Sequence, residues 1–206
     1  MKSRIQVKAM SDNFPMGHSQ TDKIESHERI VKVAAGVFRE LGIYGVSVAD
    51  VMKAAGLTHG GFYKHFASRD ELVDEAVEAA LADGSTAANA IAANPRATVG
   101  NFIDVYLSLQ HRDRIQAGCA VTALASDMPL AGERSRNAYS AQVLRYVEII
   151  GGLMPQVPEQ DRRALTVEAL ATMVGALSLA RAVDDDALSR EILETASAGL
   201  KARLLK

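Results

Sequence analysis

SVADVMKAAGLTHGGFYKHFASRDEL, running from Ser47 to Leu72, crowds three helix starts into one short stretch. Val48, Val51, Met52 and Ala55 recur at i, i+3, i+4 and i+7, so they line one side of a short helix that Gly56 stops. Thr58 is placed to cap a second short helix, whose Phe62 and Phe66 lie four residues apart on one face, with Leu57 filling the corner. Ser68 followed by Glu71 reads as a capping box, so a further helix begins directly after Phe66 and Ala67. The spacing predicts a helix, a sharp turn and a second helix.

With that core filled, Thr58, His59, Gly60, Tyr63, Lys64 and His65 are left outside, near the leading end of the second short helix. A helix N-terminus carries partial positive charge and unsatisfied N–H groups, which suit phosphate oxygens, and a recognition helix enters the major groove with this end first. Gly60 and Gly61 each cost about 1 kcal/mol of helix stability relative to Ala, yet they let backbone approach a bulky surface. Two histidines beside such a surface predict that DNA binding strengthens as pH falls toward the ordinary histidine value of about 6.5.

The run from His27 to Leu72, and AAGLTHGGFYKHFASRDEL above all, resembles the DNA-binding domain of the TetR family of transcriptional repressors. The shared features are the glycine-bearing turn, the small polar cap and the Tyr-x-x-Phe ending. The resemblance implies that Ser47, Thr58 and Tyr63 touch phosphates or bases. It places His59 in the groove, and Lys64, His65 and Arg69 beside the backbone, with Gly60 among the residues of the DNA-binding surface. His59 stands where the family commonly has Lys or Arg, and Gly61 where it commonly has a small hydroxyl residue.

The chain has 206 residues, a net charge of −2 and 48% hydrophobic residues, which is enough for a sizeable core and unlike a protein that coats nucleic acid indiscriminately. Charge is distributed to suit DNA at one end: residues 27–72 hold six cations against five anions, while residues 73–206 hold 13 against 17. No uninterrupted apolar run is long enough to span a bilayer, so neither export nor a membrane partner is expected and the compartment reads as cytoplasmic. A single cysteine, Cys119, excludes an intrachain disulfide and a cysteine-built zinc site.

Residues 1–26 lack periodicity and read as a flexible basic arm. Met16 looks like a natural beginning, which would leave residues 1–15 dispensable. Ile30, Val33, Ala34, Val37, Phe38 and Leu41 predict a helix from about His27 to Leu41, ended by Gly42, and Ser47 with Asp50 makes another capping box. Val73, Ala76, Val77 and Ala80 continue the helix that begins at Ser68 into a second domain, residues 73–206. The Ala-rich run from Gly84 to Asn94 carries no assignment, and Asn94-Pro95 reads as the start of the next helix. Further helices follow Gly118 and surround Tyr139 to Ile150. ALATMVGALSLARA, Ala169 to Ala182, is apolar all round yet shorter than a bilayer span, so both of its sides need covering. One side would meet a second copy, giving a four-helix bundle from the last two helices of each protomer.

Cys119 with His111 is a conceivable nucleophile and base, but no third group is evidently placed to orient the histidine, so no catalytic residue is expected and the chain does not read as an enzyme. A buried structural thiol and an oxidant-sensing thiol are the readings left for Cys119. No metal-ligand spacing and no cofactor motif occurs. The resemblance implies a small-molecule cavity in the second domain, for which the candidates are Phe102, Tyr106, Cys119, Thr122, Met128, Tyr139, Tyr146 and Met173. The whole reading is an all-α protein of about nine helices: a three-helix helix-turn-helix DNA-binding domain over residues 27–72, then a helical ligand-binding and dimerisation domain. It predicts a homodimeric repressor of a palindromic double-stranded DNA operator, released by a small-molecule inducer. The rivals are an activator using the same motif, and a ligand-binding or adaptor protein whose DNA domain no longer binds.

Overall fold

The computed structural model describes residues 20–205, and its regular structure is entirely helical, with nine α-helices and three 3₁₀ segments. Residues 1–19, with the dispensable-arm reading and the alternative start at Met16, lie outside this span. Helix α1 runs Gln20–Leu41, so residues 20–26, expected as part of a flexible arm, belong to the first helix. Its Ile30, Ala34, Ala35 and Phe38 are buried, whereas Leu41 is exposed where the helix ends at Gly42. Gly42 and Gly56 both take positive φ, 76° and 73°, and these two bends fold the DNA-binding part. Between them Ile43 and Val46 drive the turn into the core, and α2, Val48–Ala54, starts on the expected Ser47–Asp50 capping box.

The segment after Gly56 differs from the α-helix expected. His59–Lys64 is a 3₁₀ helix, and Thr58 stands at its start with extended backbone but makes no side-chain capping bond. Two glycines in its first turn weaken an α-helix, and a tighter turn still brings Phe62 and Phe66 onto one side, where both are buried. Ser68 then accepts from the Glu71 N–H, while the Glu71 carboxylate turns to the Ala67 N–H instead of closing a full capping box.

Helix α3, Arg69–Ala92, is the axis of the molecule: it packs on α1 near its start and on α7 further along. The Ala-rich run is its last two turns, not a connector. Helix α4, Val99–Tyr106, starts on a Thr98–Asn101 capping box, while Asn94-Pro95 forms the preceding turn, with Asn94 Oδ1 accepting from the Arg96 N–H. Short elements follow: α5, Leu109–Asp113, a 3₁₀ turn at Ile115–Ala117, α6, Ala120–Leu124, and a second 3₁₀ turn at Met128–Leu130. Three long helices close the domain: α7, Glu133–Gly152, α8, Glu159–Ala182, and α9, Asp186–Leu204, capped by Asp185.

Helix α8 is longer than the apolar stretch suggested. At 24 residues it has the length and composition to cross a bilayer. Its buried residues Thr166, Ala169, Leu170, Met173, Ala176, Leu177 and Ala180 form one stripe packed against α6, α7 and α9, the pattern of a core helix. Val167 and Leu179 are exposed on the opposite side.

Candidate nucleic-acid interface and ligand cavity

The tip of the His59–Lys64 segment projects from the DNA-binding part. Thr58, His59, Gly60 and Lys64 are exposed, and Tyr63 is 74% exposed with its ring edge-on to the buried Phe62 at 5.2 Å. One aromatic anchors the segment and its neighbour is offered to solvent. Ser47 lies exposed at the start of α2, where its hydroxyl and N–H both engage the Asp50 carboxylate; those two hydrogen bonds hold the Asp50 pKa below the ordinary carboxylate value.

Two expected contact residues are placed otherwise. His65 turns inward: its Nδ1 is buried without a partner, and its ring lies 6.2 Å from the His27 ring and 6.4 Å from Phe66. Burial first, and the neighbouring His27, Lys23 and Lys64 charges second, lower its pKa, which works against the acid-strengthened DNA contact expected of it. Arg69 reaches back to the α1–α2 turn, where its Nη2 donates to the Ile43 carbonyl at 2.6 Å and more weakly to Val46, with the guanidinium over the Tyr44 ring. Its Nη2 is thereby engaged in holding that turn.

In the second domain a cavity of about 190 Å³ opens between α3, α4 and the α5–α6 region, with α7 behind it. Phe102, Tyr106, Cys119 and Tyr146 line it as expected. Thr122, Met128, Tyr139 and Met173 do not. Thr122 stands one layer back, bonded to the Tyr106 hydroxyl at 2.8 Å, and Tyr139 donates to the Val121 carbonyl, its pKa pushed up to about 12 chiefly by burial. Met128 and Met173 are packed in the core. The wall that the sequence reading missed is the last part of α3, where Gly84, Ala87, Ala88 and Ile91 leave room by being small or set back. A glycine continuing an amphipathic helix was the available signal.

Geometry excludes His111 as a base for Cys119. The His111 Nε2 accepts the Cys119 backbone N–H at 3.0 Å, so its Nδ1 carries the proton and donates to the Tyr106 carbonyl at 2.7 Å. Neither nitrogen is left for the thiol. The ring is neutral by construction, and burial lowers its pKa despite the Tyr106 carbonyl. A histidine with a depressed folded pKa contributes stability fully above the unfolded value of about 6.5 and loses it as pH falls through the folded value. His65 shifts the same way. Melting temperature is therefore expected to drop between pH 7 and pH 5, above the range where carboxylates titrate, and His111→Phe should flatten part of that slope. A wild-type melting temperature level across this range contradicts the assignment. Among the described residues, no three His, Cys, Asp or Glu side chains converge in a metal-binding arrangement.

Two clasps join the cavity to the DNA-binding part. Arg39 of α1, almost wholly buried, donates to the Gln116 carbonyl at 2.6 Å, to the Ala80 carbonyl and to the carboxylate of Asp83. Asp83 and Ala117, the residue after Gln116, line the cavity. The Gln116 amide also reaches the Glu40 carboxylate. In the second clasp Asp127, between α6 and the Met128–Leu130 turn, accepts the Ile43 N–H at 2.9 Å, gripping the turn that Arg69 holds from the other side.

Comparison with known proteins agrees with this layout. Residues 30–76 match the model of the bacterial regulatory proteins of the tetR family. Over 46 residues the chain is 41% identical to the HTH-type transcriptional repressor KstR2 of Mycobacterium tuberculosis, an alignment covering 22% of this chain and 23% of that one. The match thus spans about a quarter of the length of these relatives. An uncharacterized HTH-type transcriptional regulator of the same organism, Rv0196, is 28% identical over 162 residues, 75% of this chain and 83% of its own. Among solved structures, a TetR transcriptional regulator from Chloroflexus aurantiacus superposes with a TM-score of 0.76 at 27% identity, covering 91% of this chain and 98% of that one. The reduced form of E. coli NemR shares the fold, with a TM-score of 0.71 at 16% identity over 86% and 96% of the two chains.

Proposed function

Because the chain belongs to the TetR family of bacterial regulatory proteins, we propose that it is a cytoplasmic repressor that grips a near-palindromic operator as a homodimer and is released by a small molecule bound in the second domain. The observation that carries this reading is the projecting tip of the 3₁₀ segment, with Phe62 and Phe66 hidden beneath it and Tyr63 and Lys64 presented outward. A tip of this kind needs a second copy about one turn of duplex away, roughly 34 Å, to read both half-sites. Val167 and Leu179, exposed on α8, support pairing of protomers through α8 and α9. On this reading residues 27–72 contact DNA and residues 73–206 sense the small molecule and pair the protomers.

In mechanism, an inducer must favour one arrangement of the helices around the cavity over the other, since only differential affinity shifts a conformational equilibrium. A ligand that moves Asp83 or the Ile115–Ala117 turn pulls on Arg39, and through it on α1. Movement of α6 pulls on Ile43 through Asp127. Both clasps end on the body that carries the tip, so the spacing of two tips in a dimer would change.

Footprinting on DNA flanking the chain's own gene, with and without candidate inducers, tests the proposal. Because Lys64 is the exposed cation at the tip, Lys64→Gln should reduce the steepness of the salt dependence of operator binding by about one unit in the log–log plot. An unchanged slope would remove Lys64 from the phosphate contacts.

A further inference from the structure

The cavity's dimensions and chemistry constrain what it can hold. A protein cavity of about 150 Å³ takes benzene, so one of about 190 Å³ takes a single ring with a small substituent. A fused ring system or a long chain would have to extend out through the open side. Charge is confined to the mouth, where Asp83 is already bound to Arg39, and Arg114 is exposed enough for water and salt to screen its pull on an anion. At depth the walls are Phe102, Tyr106, Cys119 and Tyr146, all buried, and the nearest cation, Arg181 behind Gly118, already donates to the His111 and Arg112 carbonyls. An ammonium carried there would lose its hydration for no partner, and a carboxylate would have to compete with two backbone carbonyls for Arg181.

One polar group at depth has bonding capacity to spare. Tyr106 is committed to Thr122 and Cys119. Tyr146 is not: the Cys119 thiol reaches its oxygen only at 3.7 Å, and the buried Gln142 amide beside it has an Nε2 with no partner. The thiol approaches the Tyr146 oxygen as a donor, so the hydroxyl keeps its own proton to give. Burial holds both phenols protonated. The absence of a side chain at Gly84 makes room here, because a Cβ at that position would stand 2.8 Å from the Tyr146 hydroxyl.

We propose that the cavity binds an uncharged single-ring compound bearing one hydrogen-bond acceptor, of the aryl ketone or aldehyde class, with the ring against Phe102 and the α3 wall and the acceptor on the Tyr146 hydroxyl. This rests on reading the second domain as the sensing domain, and it names the chemistry of what is sensed.

Calorimetric titration of the full chain, without DNA, with acetophenone, benzoate and toluene tests it. Acetophenone should bind, and benzoate should bind at least tenfold more weakly. Tyr146→Phe should weaken acetophenone about three- to tenfold, the worth of one hydrogen bond, while leaving toluene unchanged; retained toluene binding also reports an intact fold. Benzoate binding as tightly as acetophenone, equal weakening of acetophenone and toluene by Tyr146→Phe, or no binding of any probe overturns the proposal. A protein that takes acetophenone but keeps its grip on operator DNA sinks the inducer role and leaves the cavity chemistry standing. One that binds operator and takes none of the three probes does the reverse.

Discussion

Phe62→Ala is expected to lower stability by about 3–5 kcal/mol, the cost of truncating a buried aromatic in a well-packed core. Phe62 is 2% exposed, stacks on Phe66 at 5.4 Å and touches Tyr63 edge-on, so three rings lose contact area at once. Backbone bonds from Gly61 to Thr58 and from His65 and Phe66 to the Phe62 carbonyl fix the surrounding turn, so it cannot collapse onto the hole without moving the tip. For a chain of this length each 1 kcal/mol is worth roughly 2–4 °C, so the melting temperature should fall by about 6–20 °C. Operator affinity should be lost with it. A loss under about 1 kcal/mol in urea unfolding would show that the segment is not anchored by its phenylalanines.

Arg39→Met is the other large effect. Methionine keeps much of the buried stem but removes every donor, leaving the Gln116 carbonyl without its partner and Asp83 without its cation. Hydrogen bonds from a charged donor are worth about 1.5–3 kcal/mol, and the Asp83 carboxylate is exposed enough for water to take it back, so the expected cost is about 2–3 kcal/mol. Asp83→Asn, which spares the carbonyl bonds, should cost about 1 kcal/mol or less. The distinguishing readout is coupling: Arg39→Met should still bind a cavity ligand while that ligand releases DNA less completely. Full ligand-driven release in a stable Arg39→Met protein would move the relay to the Asp127–Ile43 clasp.

What could be read from the sequence follows what is local. Capping at Ser47, the stop at Gly56 and the Phe62–Phe66 pair all depend on residues within a few positions of one another, and all appear in the structure. The errors are of two kinds. Where two signals competed nearby, the wrong one was chosen: Asn94-Pro95 looked like a helix start, but Thr98 with Asn101 offers reciprocal bonds that an Asn-Pro pair cannot. Where a side chain's fate depends on a distant partner, its type alone misled. Arg69 and His65 are polar residues beside the exposed 3₁₀ tip, yet Ile43 engages one and His27 crowds the other, contacts that no local pattern shows. Arg39 and Asp83 stand 44 positions apart, and no periodicity pairs them. The cavity candidates divided for the same reason, since each lies on a buried helix face and only packing decides which faces meet empty space.

The central claim is that the exposed face of the 3₁₀ segment meets DNA, and Tyr63 isolates it because that side chain contributes little to the core. Fluorescence anisotropy of labelled DNA from upstream of the chain's own gene should show saturable, salt-sensitive binding by the wild type. Tyr63→Ala, with an unfolding curve within about 0.5 kcal/mol of wild type as for other exposed positions, should bind at least tenfold more weakly. Equal affinity of the two proteins for that DNA would contradict the account.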